Sequence, residues 1–171
     1  MPISRNIFSR KRDLSYLIFF LIHIPIVFFV DAAPLWPENL KPNFMTTLRK
    51  FYIETYHDQF FKSPPAWFTM YMWMEALYHV PLSVWAVGAL LRDDPRVPIH
   101  LLIYAVQTAI TTSTCISDYL SWSNFSNGEK IELGKLYVPY LAVSVFMGVD
   151  MYARLTSRLS GGSMSSQKKA L

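Results

Sequence analysis

Charge is scarce in this chain. Asp, Glu, Lys and Arg make up 16% of the 171 residues, against roughly a quarter in a soluble domain, and mean hydropathy is positive at +0.22. The charges that remain fall between long apolar blocks, a pattern that excludes one large soluble core and points to a membrane. Cysteine is almost absent: Cys115 stands alone, so no internal disulfide forms, and its place in an apolar block suits packing. No basic patch with interleaved aromatics is present, which argues against nucleic acid as a partner, and neither a cofactor nor a metal is expected. A convincing cleavage site is also missing after the first apolar block, where Ala32 and Ala33 run into Pro34. That block is long for a signal peptide and reads as a retained span.

Four blocks are present, at about residues 14–33, 66–91, 98–120 and 136–155, and each approaches or exceeds the roughly 20 residues that a spanning helix needs. The fold class predicted is all-α: a four-transmembrane-helix bundle with an amphipathic lumenal helix in the first loop. The chain then divides into a cytosolic N-terminus at 1–13, one four-span domain at 14–155 and a flexible cytosolic tail at 156–171. Lysines and arginines set the orientation. With both termini in the cytosol, ten of the sixteen fall on the inner side, from Arg5 and Arg10 through Arg92 and Arg96 to Arg154 and Arg158. The other six, among them Arg49 and Lys62, fall outside, in accord with the positive-inside rule.

Loop one is the only long connection. Phe44, Leu48, Phe51, Tyr52, Tyr56 and Phe60 recur in it at helical spacing, with Lys50, Glu54 and Asp58 on other faces, so an amphipathic helix at the lumenal interface or capping the bundle is expected. Pro64 and Pro65 end it, and Trp67 begins the second span. A sequon, Asn124-Phe125-Ser126, lies in the third loop so near the membrane that its position counts against glycosylation. Lys168 and Lys169, third and fourth from the C-terminus, form a dilysine-like retrieval signal, presented by a serine- and glycine-rich linker.

Polar residues inside the spans carry the functional reading. Glu75 sits amid the second apolar block, where a charge is expensive and usually faces a cavity or partner. On a regular helix Tyr71, Glu75, Tyr78 and His79 share one face, and Pro81 kinks the span beside it. Asp31 closes the first span after His23 and Pro25; the third span brings Gln107, Thr108, Thr111, Thr112 and Asp118. Three carboxylates, Asp31, Glu75 and Asp118, therefore stand as candidates to converge, whereas Asp150, four residues before Arg154, is explained by a helix ion pair. Among the 27 aromatic residues, such acids suit an apolar ligand with one polar or basic group. The competing reading is that Glu75 bonds His79, Gln107 or a threonine only to hold the bundle together.

The strings His23-Ile24-Pro25-Ile26 with Asp31, Pro64-Pro65-Ala66-Trp67-Phe68 with Glu75, Tyr104 with Thr108 and Thr111-Thr112, and Tyr137-Val138-Pro139-Tyr140-Leu141 resemble the EXPERA family. The likeness is to its sigma-2 receptor branch, and the family also holds the emopamil-binding sterol isomerase. The resemblance covers about residues 14–155. It implies a multi-pass protein of the endoplasmic reticulum, often a homodimer, with a cavity for sterols or cationic amphiphiles. Asp31 and Glu75 match its two ligand-contacting acids and Asp58 a structural one. The expected ligand-binding set is Asp31, Glu75, His23, Tyr71, His79, Gln107, Thr111 and Tyr140. Partners are a sterol or other hydrophobic small molecule and membrane lipids, with a role in sterol and lipid homeostasis or trafficking. Catalysis is the alternative: a sterol isomerase or a proton-initiated terpenoid cyclase using Glu75, His79 and Asp31, although the isomerase's other catalytic positions find no match. A third reading, from a yeast relative, is a factor that assists the handling of mitochondrial precursor proteins.

Overall fold

Backbone polar groups find no water in hydrocarbon, so a chain of this composition must satisfy them internally, as helices. The computed structural model describes residues 6–169, with side chains to Ser160, and those residues form helices and turns without a strand. Four stretches, Lys11–Asp31, Ala66–Leu91, Val97–Ser121 and Asn127–Ser160, are long and apolar enough to cross a membrane. The molecule is an all-α, four-span membrane bundle.

In chain order, α1 (Lys11–Ile26) widens into a π-helical turn at Val27–Asp31. Loop one folds as α2 (Asn43–Tyr56) and the single turn α3 (Gln59–Lys62). The second span is α4 (Ala66–Met74), a second π-helical turn at Glu75–His79, and α5 (Val80–Leu91); α6 (Val97–Ser121) and α7 (Asn127–Lys169) follow. The most extensive packing joins α6 to α7, and the next joins α1 to α5. Small residues allow these approaches, as in membrane bundles generally. Ala86 and Ala89 of α5 are fully buried. At Gly134 of α7 an added Cβ would stand 3.2 Å from the Tyr119 hydroxyl of α6. Large apolar side chains such as Leu77, Ile110 and Val149 are exposed on the outside, where lipid rather than water is their solvent.

Two deviations from the expected elements have plain causes. The apolar recurrence in loop one does not continue to Phe60, because α2 ends at His57, which takes a left-handed φ of 54° as its C-cap, and Asp58 then caps α3 by accepting the Phe60 N–H at 2.9 Å. Within α2, Met45 is buried and Arg49, Tyr52 and Tyr56 are half-buried, while Phe44, Leu48 and Phe51 are exposed; apolar character alone does not mark the inner face beside a membrane. The fourth helix begins at Asn127, nine residues before the predicted span. Charges at Glu129, Lys130, Glu132 and Lys135 depress hydropathy there, but Ser126 and Glu129 form a reciprocal capping box, with Ser126 N–H donating to the Glu129 carboxylate at 2.9 Å and Glu129 N–H to Ser126 Oγ at 3.3 Å. The helical backbone runs to Lys169, past Ser160, where the sequence suggested a linker; the side chains of Lys168 and Lys169 lie outside the described residues.

At the end of the bundle that carries the start of α1, buried carboxylates tie α1 to α7. Asp13 accepts from Arg10 at 2.6 Å and Arg154 at 2.5 Å. Asp150 accepts from Arg12 and Arg154 at 2.7 Å each and from the Tyr16 hydroxyl at 2.9 Å. The expected Asp150–Arg154 pair is thus present, as part of a network that reaches across two helices. Nearby, the Arg96 guanidinium bonded to the Asp94 carboxyl holds it down to about 2.

Candidate functional site

Toward the other end, beneath α2 and α3, the spans part around a cavity of about 520 Å³. Its position follows from two prolines and two acids. Pro25 lies inside α1 and removes a helix donor, and the helix relaxes into the wide turn whose last residue is Asp31. Pro81 does the same shortly after the turn that begins with Glu75. These two wide turns pack against each other, so both acids face one space. Each residue is half-buried, Glu75 lies close enough to feel the charge of Asp31, and neither carboxyl has a hydrogen bond or ion pair among the described residues. π-helical turns of this kind recur at functional sites.

The walls are mostly apolar and aromatic. Phe19 stacks on His23 at 5.2 Å between ring centroids, and the Tyr140 hydroxyl lies 3.3 Å from His23 Nε2 and 3.3 Å from the Tyr104 hydroxyl. Tyr71 donates to Thr114 Oγ1 at 3.4 Å, and Thr111, which bonds its own helix through the Thr108 carbonyl at 3.1 Å, completes the side formed by α6. Six of the expected residues, Asp31, Glu75, His23, Tyr71, Thr111 and Tyr140, therefore line this cavity. His79 and Gln107 do not. In a turn closed by i+5 hydrogen bonds the residue four positions on no longer falls over the first, so His79 turns from Glu75 into the core, against Tyr104 at 4.7 Å. Gln107 bears on Met74 and does not meet hydrogen-bond geometry with His79. Asp118 does not join the other acids either: its carboxylate accepts from Trp122 Nε1, one turn away, at 3.1 Å. The proposed acid–base pair of Glu75 with His79 is thus not assembled at the cavity.

Asp58 holds the roof together. Fully buried, it accepts from the Tyr52 and Tyr137 hydroxyls at 2.9 Å each besides the Phe60 N–H, joining α2, α3 and α7. Burial pushes its carboxyl above the usual range, against the pull of these three donors and of Arg49. Arg49, whose own pKa burial lowers against the charges of Asp31 and Asp58, donates to the Phe61 carbonyl at 2.7 Å and lies 5.1 Å over the Phe61 ring. Sequence reasoning missed Phe68, Met72, Cys115 and Tyr137 as lining residues. The signal for Cys115 was available, since it lies four and three positions after Thr111 and Thr112. On the outer surface, Asn124 of the sequon accepts from Gln59 Nε2 at 2.8 Å.

The chain as a whole is similar in sequence to known proteins. The family described as "EBP: EXPERA (EXPanded EBP superfamily)" matches residues 44–151. Sigma intracellular receptor 2 of Macaca fascicularis is 29% identical, over 84% of this chain and 89% of that protein, and the Homo sapiens protein of the same name is 28% identical over the same shares. Efficient mitochondria targeting-associated protein 19 of Schizosaccharomyces pombe is 30% identical, over 84% of this chain and 76% of its own. The chain is a multi-pass membrane protein that belongs to the EXPERA family.

Proposed function

We propose that this protein is an intramembrane receptor or carrier for a sterol or a cationic amphiphile, whose polar group sits between Asp31 and Glu75 and whose apolar body lies against the aromatic walls. The observation that carries this reading is the pairing of two unengaged carboxyls in a single cavity of about 520 Å³, within the ~300–1,000 Å³ of small-molecule sites. A carboxylate taken out of water without a partner is costly. A ligand ammonium supplies the countercharge that Glu75 lacks and adds to that of Arg49 at Asp31, and the rings of Phe19, Tyr71 and Tyr140 add cation–π attraction. A sterol hydroxyl suits the same pair, donating to one acid and accepting from the other when that one is neutral. The receptor named among the relatives supports the same class of role. With it goes residence in the endoplasmic reticulum membrane, both termini cytosolic and Lys168 and Lys169 acting in retrieval, a homodimeric state, and a part in sterol or lipid homeostasis or trafficking.

The test is equilibrium binding of tritiated cholesterol and of a cationic amphiphile to purified protein. Asp31→Asn and Glu75→Gln are each expected to lower affinity for the cation by ~2 kcal/mol or more, about thirtyfold. Saturable, undiminished binding in both variants would sink the proposal. Ligand recovered chemically altered would instead favour catalysis.

A second reading rests on the fission-yeast relative, whose name associates it with mitochondrial targeting: a factor assisting mitochondrial precursor proteins. It is favoured over the first if deletion of the gene changes precursor stability and Asp31→Asn with Glu75→Gln restores it as well as the wild type does.

A further inference from the structure

At the opposite end of the bundle from α2, the start of α1, the α5–α6 turn and the last turns of the fourth span enclose a groove of about 690 Å³. It shares no residue with the acid-lined cavity. Its inner wall is electrically settled, because Asp13 and Asp150 are each matched by two arginines, Asp94 by Arg96 at 2.9 Å, and Asp93 lies 3.3 Å from Arg10. Two cations at the mouth, Lys11 and Arg158, are not matched in this way. Lys11 meets no carboxylate among the described residues, and Arg158 donates to the Pro95 carbonyl at 2.5 Å; both are exposed. Arg12, though paired with Asp150 at 2.7 Å, leaves 68% of its side chain accessible beside them. Five cationic and four anionic side chains line the groove, so a surplus of positive charge faces outward.

Depth selects the occupant. Val97, Pro98 and Ala153 form part of the lining and lie within the third and fourth spans, so the groove sits where those spans leave the hydrocarbon, at the height of lipid headgroups. Beside it, Ile99 of α6 and Val149 of α7 are exposed apolar residues along which acyl chains can run. A soluble anion would find only the charges, whereas a phospholipid finds both the charges and the apolar flank. We propose that this groove binds an anionic glycerophospholipid, with the phosphate held by Lys11, Arg12 and Arg158 and the acyl chains laid along the outer surface of α6 and α7.

The full-length protein, purified in detergent and offered equimolar phosphatidylserine and phosphatidylcholine, is to be weighed intact with its retained lipid by native mass spectrometry. Wild type should retain phosphatidylserine in excess, and Lys11→Gln with Arg158→Gln should cut that excess roughly thirtyfold without moving the thermal midpoint, since both side chains are exposed. If the double variant fails to fold, Lys11→Gln alone carries the test, with about a fivefold loss expected. Lys50→Gln with Lys62→Gln removes the same charge at the opposite end and should leave the excess intact. An equal loss in that control, no excess in the wild type, or an excess unchanged in the groove variants would overturn the proposal. Displacement of the lipid by inorganic phosphate would also overturn it, and would assign the groove to a soluble anion.

Discussion

Three carboxylates of the same chemical type do three different jobs because of what surrounds each. Asp118 spends its charge on Trp122 one turn away, Asp58 on three donors from three elements, and Glu75 on no donor among the described residues. Asp58→Ala is therefore expected to destabilise the fold by about 3 kcal/mol, since the hydroxyls of two half-buried tyrosines and a helix-cap N–H lose their acceptor together. Asp58→Asn, which keeps an acceptor for the Phe60 N–H, should cost less. Thermal unfolding in detergent checks both, and a midpoint unchanged in Asp58→Ala would remove its role as the anchor of the roof. The importance of Glu75 could be read from sequence because an acid at that depth is expensive anywhere in hydrocarbon. Whether Asp118 would join it could not, because that depends on the rotation of α6 and on a partner only four residues off.

The elements were legible wherever apolar length decides them. All four spans appear where hydropathy put them, to within a few residues at three of the four. What hydropathy could not reveal is the departure from α-helical winding at Val27–Asp31 and Glu75–His79, which brings the two acids together and sends His79 elsewhere. Pro81 announced a kink, but a proline also permits a simple bend, so the wide turn needs tertiary context. The start of α7 was written in the Ser126–Glu129 capping box, a signal that polar flanking residues concealed from a hydropathy window. Pro81→Ala restores a backbone donor and lets the second span tighten toward regular α-helix. The expected outcome is a thermal midpoint at or above that of the wild type, together with weaker binding of the cationic amphiphile; unaltered binding would separate the wide turn from the cavity.

Over the whole molecule, the two ends are organised on opposite principles. One end is sealed by ion pairs between α1 and α7, while toward the other the same helices stand apart around a cavity and meet through aromatic rings such as Phe19 and Tyr140, 5.7 Å between centroids. Asp150→Ala should cost roughly 1–3 kcal/mol, because it takes the acceptor from the buried Tyr16 hydroxyl and one of two carboxylates from Arg154, which keeps Asp13. Asp118→Ala, which frees one indole donor, should cost far less, and chemical denaturation of the two variants side by side tests the difference. A wide turn carries one residue more than the α-helical turn it replaces. The second span of this molecule thus bears a concealed insertion in its interior, and matching the chain to a relative with straight helices calls for a gap there, where gaps are least expected. Without it, every side chain beyond the turn would be credited to the wrong side of its helix.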